Sequence, residues 1–440
     1  MHSLNSTDSR GVSGLSRRAA LKHGLAGILT CAVAPGFLRA ALAGNAAPNN
    51  RLNVALIGNG LICGSHYNAL IGRDDCRIVA VCDVARGKAE KLAERIIKHY
   101  SGAKETSGAP AVGVYQYFEE VLARPDIDAV FVCTPDHWHA PISCAAMRAG
   151  KDVYCEKPLT LTVREGRTLV RTARQYGRVL QTGTQQRSEA TFRRAAEIVR
   201  NGLLGEIKRI RTRLGEFPLP PELPEQPVPA DFDYDRWLGP TPWRPYHEKR
   251  VLGLYSGGWR CFTEYGGRKN GDWGAHHFDI IQWALGKDDS GPVEFIPKGY
   301  QGELYQTHVY ANGLRVERYE DGMKHMIEFT GSEGTLGVSR NNLLDVDPAV
   351  LARRPTRPSE MHLYVSDNHH TDFLNAVRTR QRTISDVETG HRSATIGHLC
   401  NIAAQLGRPL KWNPATEEIA NDPVATAMLD RPRRAPYGTL

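Results

Sequence analysis

The sequence predicts an α/β protein in two parts: an N-terminal doubly wound parallel sheet, then a C-terminal α+β domain on a largely antiparallel, open sheet. Three observations predict it. From residue 51 to residue 184, short β-branched runs alternate with helical stretches, and the runs are apolar throughout, as in strands covered on both faces. Beyond residue 185 the strand-like runs alternate with polar residues and turn signals such as Asp321-Gly322, which suits a sheet with one face open. A chain of 440 residues also exceeds what one hydrophobic core usually supports. The expected units are therefore 1–43, 51–184 and 185–440.

The first 43 residues begin basic, set Arg17-Arg18 and Lys22 before the weakly apolar GLAGILTCAVAPGF, and end in ALA ahead of Gly44. That order reads as an export signal, and paired arginines before a weakly hydrophobic run resemble a twin-arginine signal cleaved after Ala43. The apolar run is 14 residues long and contains Pro35, whereas a membrane-spanning helix needs roughly 20. A periplasmic protein is expected, with the twin-arginine export machinery as a partner and no membrane association after cleavage. This segment also supplies half of the net charge of +8, carrying five Lys or Arg against Asp8. The remainder is too mild to indicate nucleic acid. Of the nine cysteines only Cys31 lies in the segment; the other eight form no CxxC pair and sit in or beside apolar runs, so no disulfide framework is expected.

In the first half RLNVALIG, CRIVAVCD, IDAVFVCTP, DVYCEKP and RVLQTGTQ read as strands. ARGKAEKLAERIIKHY, HAPISCAAMRAG and LTVREGRTLVRTARQYG carry helical spacing between them. In the second half LLGEIKRIRTRLGE, GLRVERYE, MKHMIEFTG and TLGVSR read as strands, and a closing helix ends with NIAAQL at Gly407. Nine prolines fall between Pro218 and Pro245, with Trp237, Trp243 and Tyr246 among them or beside them. So many prolines with three large aromatics predict an ordered arm or a wall of the active site.

The first strand runs into Gly58-Asn59-Gly60-Leu61-Ile62-Cys63-Gly64. Glycines here let backbone amides approach a pyrophosphate at a helix N-terminus, although alone they are more often only a turn. Cys63 stands where the third glycine belongs, which weakens the match. The second strand ends at Asp83, placed to accept hydrogen bonds from an adenosine ribose. Strand, glycine turn, helix, strand and acid in that order predict dinucleotide binding. A carboxylate there repels a 2′-phosphate and favours NAD; Arg86 nearby keeps NADP possible.

At the end of DVYC stands Glu156-Lys157-Pro158, on the sheet edge where open α/β proteins place ligands. Together with GNGLICG, with TPDHWHA at 134–140, and with Asp272 and His276 in DWGAHHFD, it resembles the Gfo/Idh/MocA oxidoreductases over nearly all of residues 51–440. The resemblance implies an N-terminal Rossmann domain and a C-terminal substrate and oligomerisation domain. It implies Gly58, Gly60, Leu61, Ile62, Asp83 and Glu156 on the cofactor, and Thr134, Pro135 and His139 lining its pocket. It implies Lys157 near the nicotinamide and the reacting hydroxyl, Asp272 holding substrate and His276 as acid/base. A homo-oligomer is expected.

On a continuous helix Asp272, His276, Asp279 and Trp283 share one face, while Trp273, His277, Ile280 and Ala284 share another. His277 then reads as a hydrogen-bonded core histidine. A metal centre is not expected: His137 with His139, and the isolated doublet His369-His370, lack converging ligands. The expected activity is NAD-dependent oxidation of a secondary hydroxyl on a sugar, sugar derivative or cyclitol. The alternative is a redox-neutral, NAD-dependent glycoside hydrolase or lyase.

Overall fold

The computed structural model describes residues 51–102, 111–353, 360–437 and 440. The expected export signal lies outside them. The first sheet contains β1 (Leu52–Ile57), β2 (Cys76–Cys82), β3 (Gly113–Tyr115), β4 (Ala129–Val132), β5 (Asp152–Cys155) and β6 (Leu180–Thr182). All its pairings are parallel, in the order β3-β2-β1-β4-β5-β6. The order reverses between β1 and β4, and such a switch point opens a crevice at the strands' carboxyl ends. The three-residue β3 was too short to read from sequence.

Period-2 geometry splits each strand between two cores. Ala55, Ile57, Val130, Val132 and Val153 face the helices His139–Arg148 and Val163–Gln175. Val54, Leu56, Phe131 and Tyr154 face the other way, onto α1 (Leu61–Leu70) and α2 (Arg86–Gly102). A later helix, His369–Thr379, adds Phe373, Leu374 and Val377 to this second core. The nucleotide half thus borrows a helix from the far end of the chain.

The second sheet has nine strands: β7 (Ile207–Arg213), β10 (Glu294–Ile296), β11 (Gln306–Val309), β12 (Arg315–Tyr319), β13 (Ile327–Gly331), β14 (Thr335–Ser339), β15 (Leu343–Val346), β16 (Leu410–Asn413) and β17 (Glu418–Ile419). A separate hairpin joins β8 (Gly253–Leu254) to β9 (Gly257–Gly258). Only β7 and β12 pair in parallel. Ile210, Val316, Ile327 and Phe329 face Phe192 and Ala195 of the helix Ala190–Arg200 and Ile280 and Ile281 of the helix Gly274–Leu285. The alternate residues Arg209, Arg211 and Glu328 are exposed or half-buried, so one face is open, as the polar alternation predicts. The helix Val387–Leu406 closes on Gly407 in the left-handed conformation that glycine tolerates.

The proline-rich arm is ordered. Phe217, Tyr234, Trp237, Leu238 and Tyr246 form their own aromatic core with Trp259, Phe262 and Tyr265. Trp243 departs from the expectation: it is 58% exposed, so two of the three aromatics anchor the arm. Among the described residues no helix is long and apolar enough to cross a membrane.

Candidate active site

A cavity of about 400 Å³ opens at the carboxyl ends of the parallel strands. Gly58 follows β1 with φ +87°, and a Cβ there would lie 2.8 Å from the backbone nitrogen of Thr134. Only glycine fits. Gly60 is the N-cap of α1 and a Cβ on it would meet nothing within 4 Å, which leaves its backbone accessible from the cavity. Cys63 is buried against the sheet and is not part of the cavity wall, so its thiol fills the helix–sheet contact that the third glycine usually serves. The Asp83 carboxylate accepts amide hydrogens from Asn59 (2.7 Å) and Ala85 (2.8 Å), and burial raises its pKa. Arg86 turns away from the cavity to Glu90, at 2.9 Å.

Glu156 follows β5 and closes the floor. Its Oε1 lies 3.0 Å from His66 Nε2 and accepts from the Gln185 amide at 3.0 Å. His66 Nδ1 lies in turn 2.9 Å from His370 Nε2. The doublet His369-His370 is therefore not isolated: His370 joins a buried polar chain, and His369 sits 2.9 Å from the carbonyl of Thr182 and 2.8 Å from Ser188 Oγ. Burial alone would raise Glu156, but the hydrogen bond from His66 and the nearby Lys157 hold it below the usual carboxylate range.

Lys157 reaches across to the second half of the chain. Its Nζ donates to Asp272 Oδ1 at 2.7 Å and to the Asp272 carbonyl at 3.0 Å. Arg260, on the turn after β9, stands 3.6 Å from the same carboxylate. Burial opposes ionisation of Asp272, yet Lys157 and Arg260 hold its pKa below the ordinary value. The expected continuous helix is broken at Trp273 into Arg268–Asp272 and Gly274–Leu285. Asp272 bonds Lys157 rather than His276, while Asp279 lies deep in a forked pair with Arg187 (2.6 and 2.9 Å) that pins the helix to residues 185–188.

His276 is buried with Nδ1 unpartnered, and burial followed by the charges of Lys157 and Arg340 drives its pKa well down, so the ring is neutral. His277 points into the interior, its Nδ1 3.1 Å from Thr212 Oγ1, and burial lowers its pKa to about 3.

Gly58, Gly60, Leu61, Ile62, Asp83, Thr134, Pro135, Glu156 and Lys157 all line the cavity. Asp272 and His276 do not: Asp272 sits behind Lys157 and Arg260, which do, and His276 is buried. His139 does not either; both its ring nitrogens are spent on backbone, 2.7 Å from the Pro158 carbonyl and 2.9 Å from the Thr134 carbonyl, so it ties two strand ends together beneath the pocket. Asp136, Trp259, Arg260 and the arm residues Asp231, Phe232 and Arg236 also line the cavity and escaped the sequence reading. Asp136 accepts the Gly267 amide at 3.0 Å, and burial lifts its pKa to about 6. Its place in TPDHWHA was a usable signal; nothing in the arm's proline-rich texture marked Asp231.

The oxidoreductase-family NAD-binding Rossmann model matches residues 52–184, and the family's C-terminal alpha/beta domain model matches residues 217–439. The chain belongs to the Gfo/Idh/MocA oxidoreductase family. Myo-inositol 2-dehydrogenase of Thermotoga maritima is 28% identical over 376 residues, 82% of this chain and 95% of that protein. A glycosyl hydrolase family 109 protein of Shewanella is 27% identical over 327 residues, 72% of this chain and 66% of that protein. The WlbA dehydrogenase of Bordetella pertussis, solved with NADH and UDP-GlcNAcA, shares the fold with a TM-score of 0.57 at 18% identity, covering 82% of this chain and 99% of that one. The residues present fit a nicotinamide dinucleotide: besides the glycine cradle, Asn59 Nδ2 and Thr134 Oγ1 are buried without protein partners.

Proposed function

We propose that this protein oxidises a secondary hydroxyl of a sugar, sugar derivative or cyclitol with NAD. We further propose that it retains the dinucleotide between turnovers and works in the periplasm after twin-arginine export. The observation that carries the chemistry is Lys157: its ammonium belongs to the wall of the dinucleotide cavity and is held at 2.7 Å by Asp272 from the other half of the chain. A bound nicotinamide supplies the two-electron acceptor for hydrogen leaving a carbinol carbon. Lys157 Nζ then donates to the reacting oxygen and stabilises the charge that develops on it. His276, kept neutral by burial, accepts the hydroxyl proton. Asp272 and Arg260 hold neighbouring hydroxyls and keep the lysine in register.

Export is supported by Arg17-Arg18 and the ALA before Gly44. Replacing both arginines by lysine should trap folded protein in the cytoplasm, and the mature N-terminus should be Gly44. Retention is supported by the arm, whose residues line the same cavity as the glycine turn. Protein purified from the periplasm, desalted and denatured should release near-stoichiometric NAD. Substoichiometric release, with activity fully dependent on added NAD, overturns retention.

The similarity to the family 109 protein over 72% of this chain supports a second reading, a redox-neutral glycoside hydrolase. Supplying a glycoside alone separates the two: released aglycone selects the hydrolase, and a ketone product with reduced nicotinamide selects the dehydrogenase. A homo-oligomer packed through the open face of the nine-stranded sheet belongs to the same proposal, and light scattering tests it.

A further inference from the structure

Part of the arm crosses back over the nucleotide half. The Arg86 amide donates to the Asp231 carbonyl at 3.0 Å, and the Asp233 amide donates to the Val84 carbonyl at 3.0 Å. Ala85 and Phe232 form an isolated antiparallel bridge between those bonds. Tyr117 adds a side-chain tie, its hydroxyl donating to Asp233 Oδ2 at 3.1 Å. This short ladder starts one residue beyond Asp83, the acid at the end of β2.

Docking in that register brings the Asp231 carboxylate over the first turn of α2. A Cβ built on Gly87 would stand 3.0 Å from Asp231 Oδ2. Asp83, Gly87, Lys88 and Asp231 all line the one cavity. Among the described residues the Asp231 carboxylate has no hydrogen bond or ion pair, so the fold does not use it as a strut.

The charges explain its effect. Helix α2 has no acid in its own first turn, which reads Arg86-Gly87-Lys88. A bare helix N-terminus flanked by cations attracts a phosphate dianion. Asp231 puts a fixed negative charge at that place, and Arg86, the residue able to rescue a 2′-phosphate, is turned onto Glu90. We propose that Asp231 is a second specificity-determining residue for the cofactor. The arm, together with the end of β2, rejects a phosphate on the adenosine 2′-hydroxyl. This rests on the nicotinamide-dinucleotide reading of the cavity.

The test is exchange followed by release. Purified holoprotein is dialysed at length against equal NAD and NADP, desalted and denatured, and the two nucleotides are quantified by mass. Wild type should release mainly NAD. Asp231→Asn, which keeps the shape and removes the charge, should move the released ratio toward NADP on the order of tenfold. Asp83→Ser should shift it the same way while lowering total nucleotide, because it also loses the ribose contacts. Glu225→Gln, an exposed acid of the arm outside the cavity wall, should leave the ratio unchanged. An unchanged ratio for Asp231→Asn beside a shifted ratio for Asp83→Ser rejects the inference and leaves the cofactor reading intact. Release of neither nucleotide, with no thermal shift on adding either to wild type, rejects the cofactor reading itself.

Discussion

The nucleotide end and the chemical end of the cavity are built in opposite ways. From Leu52 to Asp83 the binding segment is one continuous strand, turn, helix and strand, and backbone geometry does the work. At the chemical end Lys157 meets Asp272 across 115 positions of sequence, with Arg260 from a third segment, and side-chain charge does the work. Backbone constraints leave local marks in a sequence. Convergent charges leave almost none.

The largest expected effect lies at the convergent end. Lys157→Ala should cut kcat by roughly a thousandfold and raise KM less, since its charge acts on a developing alkoxide and its loss also leaves Asp272 buried without its ammonium. His276→Ala should cost on the order of a hundredfold or more in turnover with the fold retained. His277→Ala should instead cost about 1–3 kcal/mol in denaturant unfolding and leave turnover nearly unchanged. Equal activity losses with equal melting for both histidine variants would show that the broken helix does not separate their roles.

Acid should act next, through buried histidines spread over both halves of the chain. His137, His277, His308, His370 and His398 are each pushed to about 3, chiefly by burial. Unfolding returns them to an ordinary value near 6.5, so the unfolded chain binds more protons in between. Stability is therefore present above pH 6.5 and is lost as pH falls toward 3, each ring contributing up to about 1.4 kcal/mol per pH unit. Asp136, raised to about 6, His139, raised to about 10, and Asp83 and Asp279, raised by burial, run the other way and offset part of that loss. Urea unfolding at pH 7.5, 6.5 and 5.5 should show a loss of several kcal/mol; a flat profile would mean the rings stay neutral in neither state or both.

Two glycine replacements probe the local end. Gly58→Ala places a Cβ 2.8 Å from Thr134 N at φ +87° and should cost about 1–3 kcal/mol together with nucleotide retention. Gly64→Ala meets nothing within 4 Å and should gain a few tenths of a kcal/mol through helix propensity, without touching nucleotide. Comparable nucleotide loss in both would return the fingerprint to the register that includes Gly64.

The doubly wound sheet was legible because strands buried on both faces must be apolar along their whole length, as Ala55-Leu56-Ile57 and Val130-Phe131-Val132 are. Lys157, Asp272 and His276 were reached through resemblance rather than spacing, since a salt bridge between distant segments has no period. His139 misled because its motif marks the pocket while both its ring nitrogens are consumed by carbonyls below it. His370 was passed over because its partner His66 sits 304 positions away. Asp231 was invisible because a ladder of backbone hydrogen bonds, indifferent to side-chain identity, decides where the arm lies.

The helix His369–Thr379 covers a face of a sheet whose strands were made long before it. During synthesis, Val54, Leu56, Phe131 and Tyr154 emerge from the ribosome with that face bare. The roughly 200 residues that follow take on the order of 10–40 s at ordinary elongation rates. Until then the first half is an unfinished, sticky surface, a natural client for a chaperone, and its nucleotide pocket lacks the polar chain through His370. Nucleotide binding is therefore expected to follow completion of the helix His369–Thr379. A nascent chain arrested before residue 369 should bind chaperone and hold no nucleotide.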